Sequence, residues 1–216
     1  MTEQGSTHHH QNKASKLITS TFGILVGLAG IEHGIFEILQ GDVATNGFMI
    51  NAIGDSYRFW EGTSERALTI LPTFLLAGIS AVILGVIVTI WSSLFVQRRF
   101  GATILLILTL TLFLVGGGMA PIILSLFAVI VATRIDKPLT WWRTHLSSGI
   151  RSSLGKLWPW ALLLFVIIFW GTVGVQIFGL PLETALVSTI VGILSVAMVT
   201  LIPLSVIIGL SYDTSK

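Results

Sequence analysis

The sequence contains no cysteine and few charged residues. Of its 216 residues, 10% are Asp, Glu, Lys or Arg, whereas soluble domains carry about 25%. The absence of cysteine excludes disulfides, thiolate metal sites and cysteine nucleophiles. With 53% hydrophobic residues and a mean hydropathy of +0.90, the chain cannot cover a water-exposed globular surface. It is therefore predicted to form one domain in a lipid bilayer.

Motifs for common catalytic chemistry are also absent. The sequence contains no His-Glu-x-x-His, Walker or Gly-x-Gly-x-x-Gly motif, and no Ser, His and Asp pattern that indicates a triad. We therefore expect no cofactor and no dedicated metal site, and we favour a non-enzymatic function. The basic residues flank apolar runs, a pattern that is typical of membrane topology and not of nucleic-acid binding.

Apolar runs long enough to cross a membrane occur several times, since about 20 residues span the hydrocarbon core. Ala102–Thr133 is an unusually long run of 32 residues, interrupted by GGGMAP at 116–121. Because glycine and proline break helices, this run is either one kinked helix or two short helices, Ala102–Val115 and Ile122–Thr133, joined by a tight turn. The other predicted spans are Leu17–Gln40, Ala67 to about Phe95, Leu157–Phe178 and Thr184–Leu210.

The distribution of basic residues favours two short helices. Cytoplasmic segments are enriched in Lys and Arg, and six spans place Arg98, Arg99 and the basic loop 134–156 on the same side as both termini. That side then carries ten Lys or Arg and three acids, and the outer side carries two Arg and five acids. We predict an all-α bundle of six transmembrane helices in the cell membrane, with both termini cytoplasmic. Its predicted parts are a cytoplasmic tail at 1–16, a membrane domain at 17–210 that includes an outer loop at 41–66, and a cytoplasmic tail at 211–216.

Three segments outside the predicted spans have two interpretations each. Leu139 to Leu154 is either an amphipathic helix on lipid headgroups or a solvated linker. The outer loop is either a lid over a site or an ordinary connection. His8, His9 and His10 lie in the polar N-terminal tail, where we favour a disordered segment over a loose metal site.

The first predicted span carries the ionisable stretch GLAGIEHGIFEILQG, residues 27–41. On a helix, His33, Glu37 and Gln40 recur at i, i+4 and i+7 and share one face. Glu32 points about 100° away from His33 on the same geometry, so it is expected to face a different neighbour. Ionisable residues inside a span are costly and are by default candidates for a functional site.

No Lys or Arg lies within the predicted spans, so these carboxylates have little built-in positive charge to compensate them. A proton, an external cation or water must compensate them, or Arg58 or Arg66 of the outer loop must fold back over Glu37. The adjacent Glu32 and His33 do not match the Glu-x-x-His pattern of di-iron helices. The sequence therefore predicts a polar pocket and not a metal centre.

Glycines mark two further features of the predicted bundle. Small residues on one face of a membrane helix let another backbone approach closely, and we assign the glycines of the first helix to such a packing face. The glycine turn exposes backbone groups at the level of Glu37, where they either line a cavity or form a plain turn. The packing residues are Gly23, Gly27, Gly30 and Gly34. The candidate ligand-binding residues are Glu32, His33, Glu37, Gln40, Gly116, Gly117, Gly118 and Gln176.

The two motifs together, GIEHGIFEILQG in the first helix and LVGGGMAPI in the middle of the chain, resemble those of a family of small uncharacterised prokaryotic polytopic membrane proteins. The resemblance extends from Phe22 to about Ile135. It implies that the two motifs form one unit, and it transfers no catalytic residue and no activity.

These observations predict an outward-facing site that binds or transports a proton, a cation or a small polar solute. Two other classes remain open. One is a membrane-embedded enzyme that acts on a lipid or a quinone, with the same acids as proton donors or acceptors. The other is an accessory subunit, recognised through the glycine face by a membrane-protein partner or by a second copy of the chain.

Overall fold

The computed structural model describes residues 11–215, which form eight helices and one short β-hairpin. The predicted histidine tail at 8–10 lies outside the described residues. Strands β1 (Met49–Asn51) and β2 (Arg66–Leu68) pair antiparallel within the predicted outer loop, with Ile50 opposite Ala67. The fold is therefore mostly helical, as the sequence predicts, with a short β-hairpin in the predicted outer loop. The helices are α1 (Lys13–Leu39), α2 (Phe74–Leu94), α3 (Gly101–Leu114), α4 (Ala120–Ala132), α5 (Thr140–His145), α6 (Ser148–Gly155), α7 (Trp158–Phe178) and α8 (Thr184–Ser215).

Four of these helices, α1, α2, α7 and α8, are long and apolar enough to cross a membrane. The chain is therefore a helical membrane protein. Helices α3 and α4 are apolar but contain 14 and 13 residues. At 1.5 Å per residue they are about 21 Å and about 20 Å long, less than the hydrocarbon thickness of about 30 Å.

Helix α2 begins later than the sequence predicts. The sequence predicts that this helix begins at Ala67, with Pro72 in its first turn. In the structure Ala67 lies in β2, and the helix begins at Phe74. Thr73 caps the helix, since its hydroxyl accepts a hydrogen bond from the backbone N–H of Leu76 at 3.4 Å.

The connections at one end of the bundle, the loop end (residues 40–73, 115–119 and 176–183), are bonded to one another. The backbone N–H of Ile70 donates to the carbonyl of Leu114, and the N–H of Met119 donates to the carbonyl of Arg66. The indole of Trp60 donates to the Gln176 carbonyl at 3.0 Å. The predicted outer loop therefore covers the glycine turn and the end of α7.

The opposite end, the tail end (residues 11–16, 95–101, 133–157 and 211–215), is equally well connected. The Asn12 side chain donates to the carbonyls of Arg134 and Lys137 at 2.6 and 2.9 Å. The Arg151 guanidinium donates to the Thr214 carbonyl at 2.9 Å. Part of each predicted tail is thus ordered structure, because α1 begins at Lys13 and α8 continues to Ser215.

The segment 139–154 forms two short helices instead of the single amphipathic helix or the linker considered above. Ser147 separates them and caps α6, since its hydroxyl accepts a hydrogen bond from the N–H of Ile150 at 3.4 Å. Helix α6 packs against α8, where Gly155 lies next to Tyr212 and Ser215. Because α6 packs against α8, it lies against protein and is not a solvated linker.

Helix α1 is the most buried of the four long helices and packs against α2, α4 and α8. Its glycines make the closest approaches. A Cβ at Gly27 would lie 2.6 Å from the Gly85 carbonyl oxygen, and one at Gly34 would lie 2.6 Å from the Gly78 carbonyl oxygen, both on α2. These pairs bring two antiparallel backbones together, as small residues do in membrane bundles.

The other two glycines of α1 are also covered within the chain. A Cβ at Gly23 would collide with the Ser92 side chain of α2, and a Cβ at Gly30 would lie 2.7 Å from Leu112 of α3. The glycine face is therefore buried against this protein's own helices. Its four glycines are not available to a partner.

Candidate functional site

The acidic and histidine side chains of α1 lie in the half of the helix near the loop end. His33 and Glu37 are 2% and 0% exposed, whereas the Glu32 side chain is 22% exposed. They are buried because α1 has neighbours on most of its circumference. Burial of polar side chains at this depth is costly unless they find partners.

Glu65 of the loop end joins this cluster, although no sequence signal assigned it to the site. Its Oε2 lies 3.3 Å from Nε2 of His33, and the Oε2 of Glu32 lies 3.9 Å from the same nitrogen. We call Glu32, His33 and Glu65 the acid–histidine cluster. Glu32 therefore does not face a different neighbour as expected, because its side chain is long enough to reach back across the helix surface.

The β-hairpin holds Glu65 in place. The Glu65 carbonyl accepts a hydrogen bond from the N–H of Ala52 at 2.7 Å, and the Glu65 N–H donates to the Asn51 side chain at 3.0 Å. The adjacent Ser64 carbonyl accepts a hydrogen bond from the Gln176 amide at 3.1 Å. The loop thus supplies the third member of the acid–histidine cluster, in keeping with the lid interpretation.

The glycine turn lies directly against His33 and Glu37. Gly116 and Gly118 have φ values of +114° and +87°, which other L-residues rarely adopt. A Cβ at Gly116 would lie 2.6 Å from Oε1 of Glu37, and one at Gly118 would lie 2.8 Å from the His33 ring. Glycine is required at both positions for the backbone conformation and for space.

Glu37 lies on the same helix but is not part of the acid–histidine cluster. Neither of its carboxylate oxygens has a hydrogen-bond partner among the described residues. The expected cover by an outer-loop arginine is not found, because Arg58 pairs with Asp55 at 2.6 Å and Arg66 is exposed. Arg58 finds an acid three residues away in its own loop, so it does not reach α1.

Gln40 lies apart from the other predicted site residues. Its amide donates to the carbonyls of Asn51 and Ala52 at 3.1 and 2.6 Å, which fastens the end of α1 to the hairpin. A role in positioning the loop accounts for this residue, since its amide donor is used there. Gln176, by contrast, lies beside the acid–histidine cluster.

A cavity of about 280 Å³ opens beside the acid–histidine cluster, between α1, α4, α7 and α8 and beneath the loop end. Glu37 and the three turn glycines do not line it. Its polar lining residues are Glu32, His33, Ser64, Glu65, Thr172, Gln176 and Ser195. Its remaining walls are Ala29, Ala120, Pro121, Ile123, Leu124, Phe165, Phe169, Val173, Met198, Val199 and Ile202.

The charge of this cavity is one-sided. Two carboxylates face one imidazole, and no Lys or Arg is among the described residues that line it. Opposite charges about 4 Å apart attract by several kcal/mol at the effective dielectric of a protein surface, so the cavity favours a cation over an anion. In the described part of the chain, no group of three or more His, Asp or Glu is arranged to hold a metal ion.

No protein-family model matches this chain, and neither a curated protein nor a solved structure matches it at a significant level. The functional interpretation therefore rests on the geometry of the site.

Proposed function

We propose that this chain is a cell-membrane protein with six spans and both termini in the cytoplasm. In this topology α1 to α4, α7 and α8 cross the bilayer. Two features support it. The connections gather at two ends of the bundle, and the basic residues Arg98, Arg99, Arg143 and Arg151 all fall at the tail end.

The proposed function of the site is to bind a small cation from the outer side and to transport it. The observation that carries this proposal is the pair of carboxylates, Glu32 and Glu65, against one imidazole in a cavity whose described lining includes no Lys or Arg. Buried carboxylates are strongly unfavourable without a compensating charge or proton. A bound cation provides that compensation.

Proton exchange is the proposed coupling step. When the cation leaves toward one side of the membrane, protons from that side replace it on the carboxyl groups, so that the buried face of α1 is never left with uncompensated charge. These protons are released on the other side when the next cation binds there. Glu37, beneath the glycine turn, is a second carboxyl group on the same helix face, one turn from His33. It is the proposed next proton acceptor in the direction of the loop end.

A flux assay in proteoliposomes tests this function. Vesicles that contain a pH-sensitive dye are exposed to external guanidinium or tetramethylammonium, and entry of the cation in exchange for protons makes the lumen more alkaline. The double variant Glu32→Gln and Glu65→Gln should abolish this response. Glu183→Gln is the matched control, because it removes an exposed acid at the same end of the bundle. Equal responses from wild type and the double variant would contradict the proposal.

The apolar walls of the cavity favour one second candidate, a membrane-embedded enzyme acting on a lipid or a quinone. In that case the acid–histidine cluster would transfer protons to a neutral substrate. Co-purification of a quinone or lipid that is lost in His33→Ala would support this alternative. The accessory-subunit alternative has less support, because the glycine face on which it depends is buried within the chain.

A further inference from the structure

The rim of the cavity lies on the outer surface of the bundle between α4 and α8. Ile123 of α4 and Val199 of α8 both line the cavity, and they are 47% and 50% exposed. Both lie in apolar helices, and in the proposed six-span topology these exposed side chains face hydrocarbon. The cavity therefore opens sideways toward lipid in addition to lying beneath the loop end.

Helix α8 leaves this side of the cavity uncovered. Among the described residues of α8 before Ile202, Val187 is the only buried one, so the half of the helix near the loop end packs loosely within the chain. Ser195 and Met198 nevertheless turn toward the cavity. A molecule dissolved in the bilayer can thus reach the acid–histidine cluster along α8 without crossing the loop end.

The cavity has one charged end and one apolar end. The Oε1 of Glu32 and the Nδ1 of His33 are buried and have no hydrogen-bond partner among the described residues. The walls toward α7 and α8 are Phe165, Phe169 and Met198. Its volume of about 280 Å³ is just below the range of about 300–1,000 Å³ typical of small-molecule sites. A cavity of this size has room for a cationic headgroup and a few carbons, so a longer alkyl chain would extend out through the rim.

We propose that the cation bound by this site is an amphipathic amine that enters from the lipid between α4 and α8. Its ammonium group donates hydrogen bonds to Glu32 and Glu65, and its apolar chain lies along the α4–α8 opening. This inference rests on the proposed cation-binding function and specifies the class of its substrate. Charge-assisted hydrogen bonds to two carboxylates select an amine over a neutral alcohol of the same chain.

Binding to the protein in lipid nanodiscs, corrected with empty nanodiscs, tests the substrate class. The probes are methylammonium, decylammonium and neutral decanol. Decylammonium should bind at least about tenfold more tightly than methylammonium. The double variant Glu32→Gln and Glu65→Gln should weaken the binding of both amines and remove the preference for decylammonium over decanol. Glu183→Gln should bind as wild type does.

The possible failures are distinguishable. If methylammonium and decylammonium bind equally well and both depend on the two glutamates, the cation site stands and the amphipathic inference is overturned. If decanol binds as tightly as decylammonium and the glutamates have no effect, both the inference and the cation function fail.

The route of entry needs its own variants. Val199→Trp and Ile123→Trp fill the rim and should weaken decylammonium binding by about tenfold without changing methylammonium binding. Ile193→Trp is the control, because Ile193 is 64% exposed on α8 and does not line the cavity. An unchanged affinity for decylammonium in both rim variants would overturn lateral entry.

Photo-crosslinking tests the same route in the wild-type protein and does not depend on variants that fold. A decylammonium probe with a diazirine at its terminal carbon should label α4 and α8 near Ile123, Met198 and Val199. Labelling confined to the loop-end residues 54–62 would show entry from water and contradict the inference.

Discussion

Asp213 and Glu37 are both buried carboxyl groups at opposite ends of the bundle, and their surroundings differ. Asp213 lies on α8 and contacts the first turn of α1, whereas Glu37 belongs to α1. Asp213 is 4% exposed and accepts hydrogen bonds from the N–H groups of Ala14 and Ser15 and from the Ser15 hydroxyl, at 2.7–2.9 Å. Glu37 is 0% exposed and has no hydrogen-bond partner among the described residues.

The two groups therefore have different physical explanations. Asp213 satisfies backbone donors in the first turn of α1, where the helix dipole also favours an anion. It joins the last helix to the first, and stability alone accounts for it. Nothing comparable accounts for Glu37, so we assign it, with the neighbouring cluster, to the proposed proton and cation chemistry.

Of the substitutions that test this comparison, Asp213→Asn should have the largest effect on stability. The variant should lose about 2–4 kcal/mol of stability, because the asparagine amide cannot accept from all three donors and leaves buried groups unpaired. Reversible unfolding in mixed micelles measures this loss. Asp136→Asn is the matched control, since Asp136 is an exposed acid at the same end. Equal stability of the two variants would show that the Asp213 contacts contribute nothing.

Gly116→Ala should have the next largest effect. Its methyl group meets the Glu37 carboxylate in a backbone conformation that alanine disfavours, for a loss of about 1–3 kcal/mol. Gly41→Ala separates the two causes, because Gly41 has a φ of +80° but no described atom within 4 Å of the place that a Cβ would occupy. Gly116→Ala should therefore cost more than Gly41→Ala in the same unfolding assay. Adding Glu37→Ala should recover part of the difference, and equal losses for the two glycines would contradict the contact.

Trp60→Phe should have a smaller effect that is confined to the loop end. The variant loses the hydrogen bond to the Gln176 carbonyl, worth about 0.5–1.5 kcal/mol, while it keeps an aromatic ring. Hydrogen exchange should become faster at residues 60–65 and stay unchanged around Asp213. A uniform increase over the whole chain would show that the loop end is not an independent lid.

Glu37→Gln should have the smallest effect on stability and therefore sharpens the comparison most. No hydrogen bond to a described residue is lost, and the amide has nearly the shape of the carboxyl group. The free energy of unfolding should stay within about 1 kcal/mol of wild type, while proton exchange in the flux assay decreases. A loss of stability as large as that of Asp213→Asn would assign Glu37 a structural role instead.

The sequence was sufficient to predict the apolar helices and the break between α3 and α4. Long apolar runs are a local signal, and the three glycines at 116–118 with Pro121 interrupt one of them. The helix ends are predicted less accurately. Asp213 falls in the predicted cytoplasmic tail 211–216, beyond the last apolar run. Its place in α8 depends on a contact with Ala14 and Ser15, about two hundred residues away in sequence, which no local pattern indicates.

Only some members of the candidate site can be selected from the sequence, because the others depend on contacts between distant segments. Glu32, His33 and Glu37 stand out because they interrupt an apolar run. Glu65 is one of five acids at the loop end, and no spacing distinguishes it from Glu61 or Asp55. Only the pairing of β1 with β2 brings Glu65 to His33, and strands of three residues are too short to predict from periodicity.

The most direct test of the central claim is protection of the acid–histidine cluster by a cation. Dicyclohexylcarbodiimide modifies carboxyl groups in apolar surroundings, and mass spectrometry locates and quantifies the adducts. External guanidinium or decylammonium should slow modification of Glu32 and Glu65, with no change at Glu183. Labelling of Glu32 and Glu65 that is the same with and without either cation would contradict a cation site.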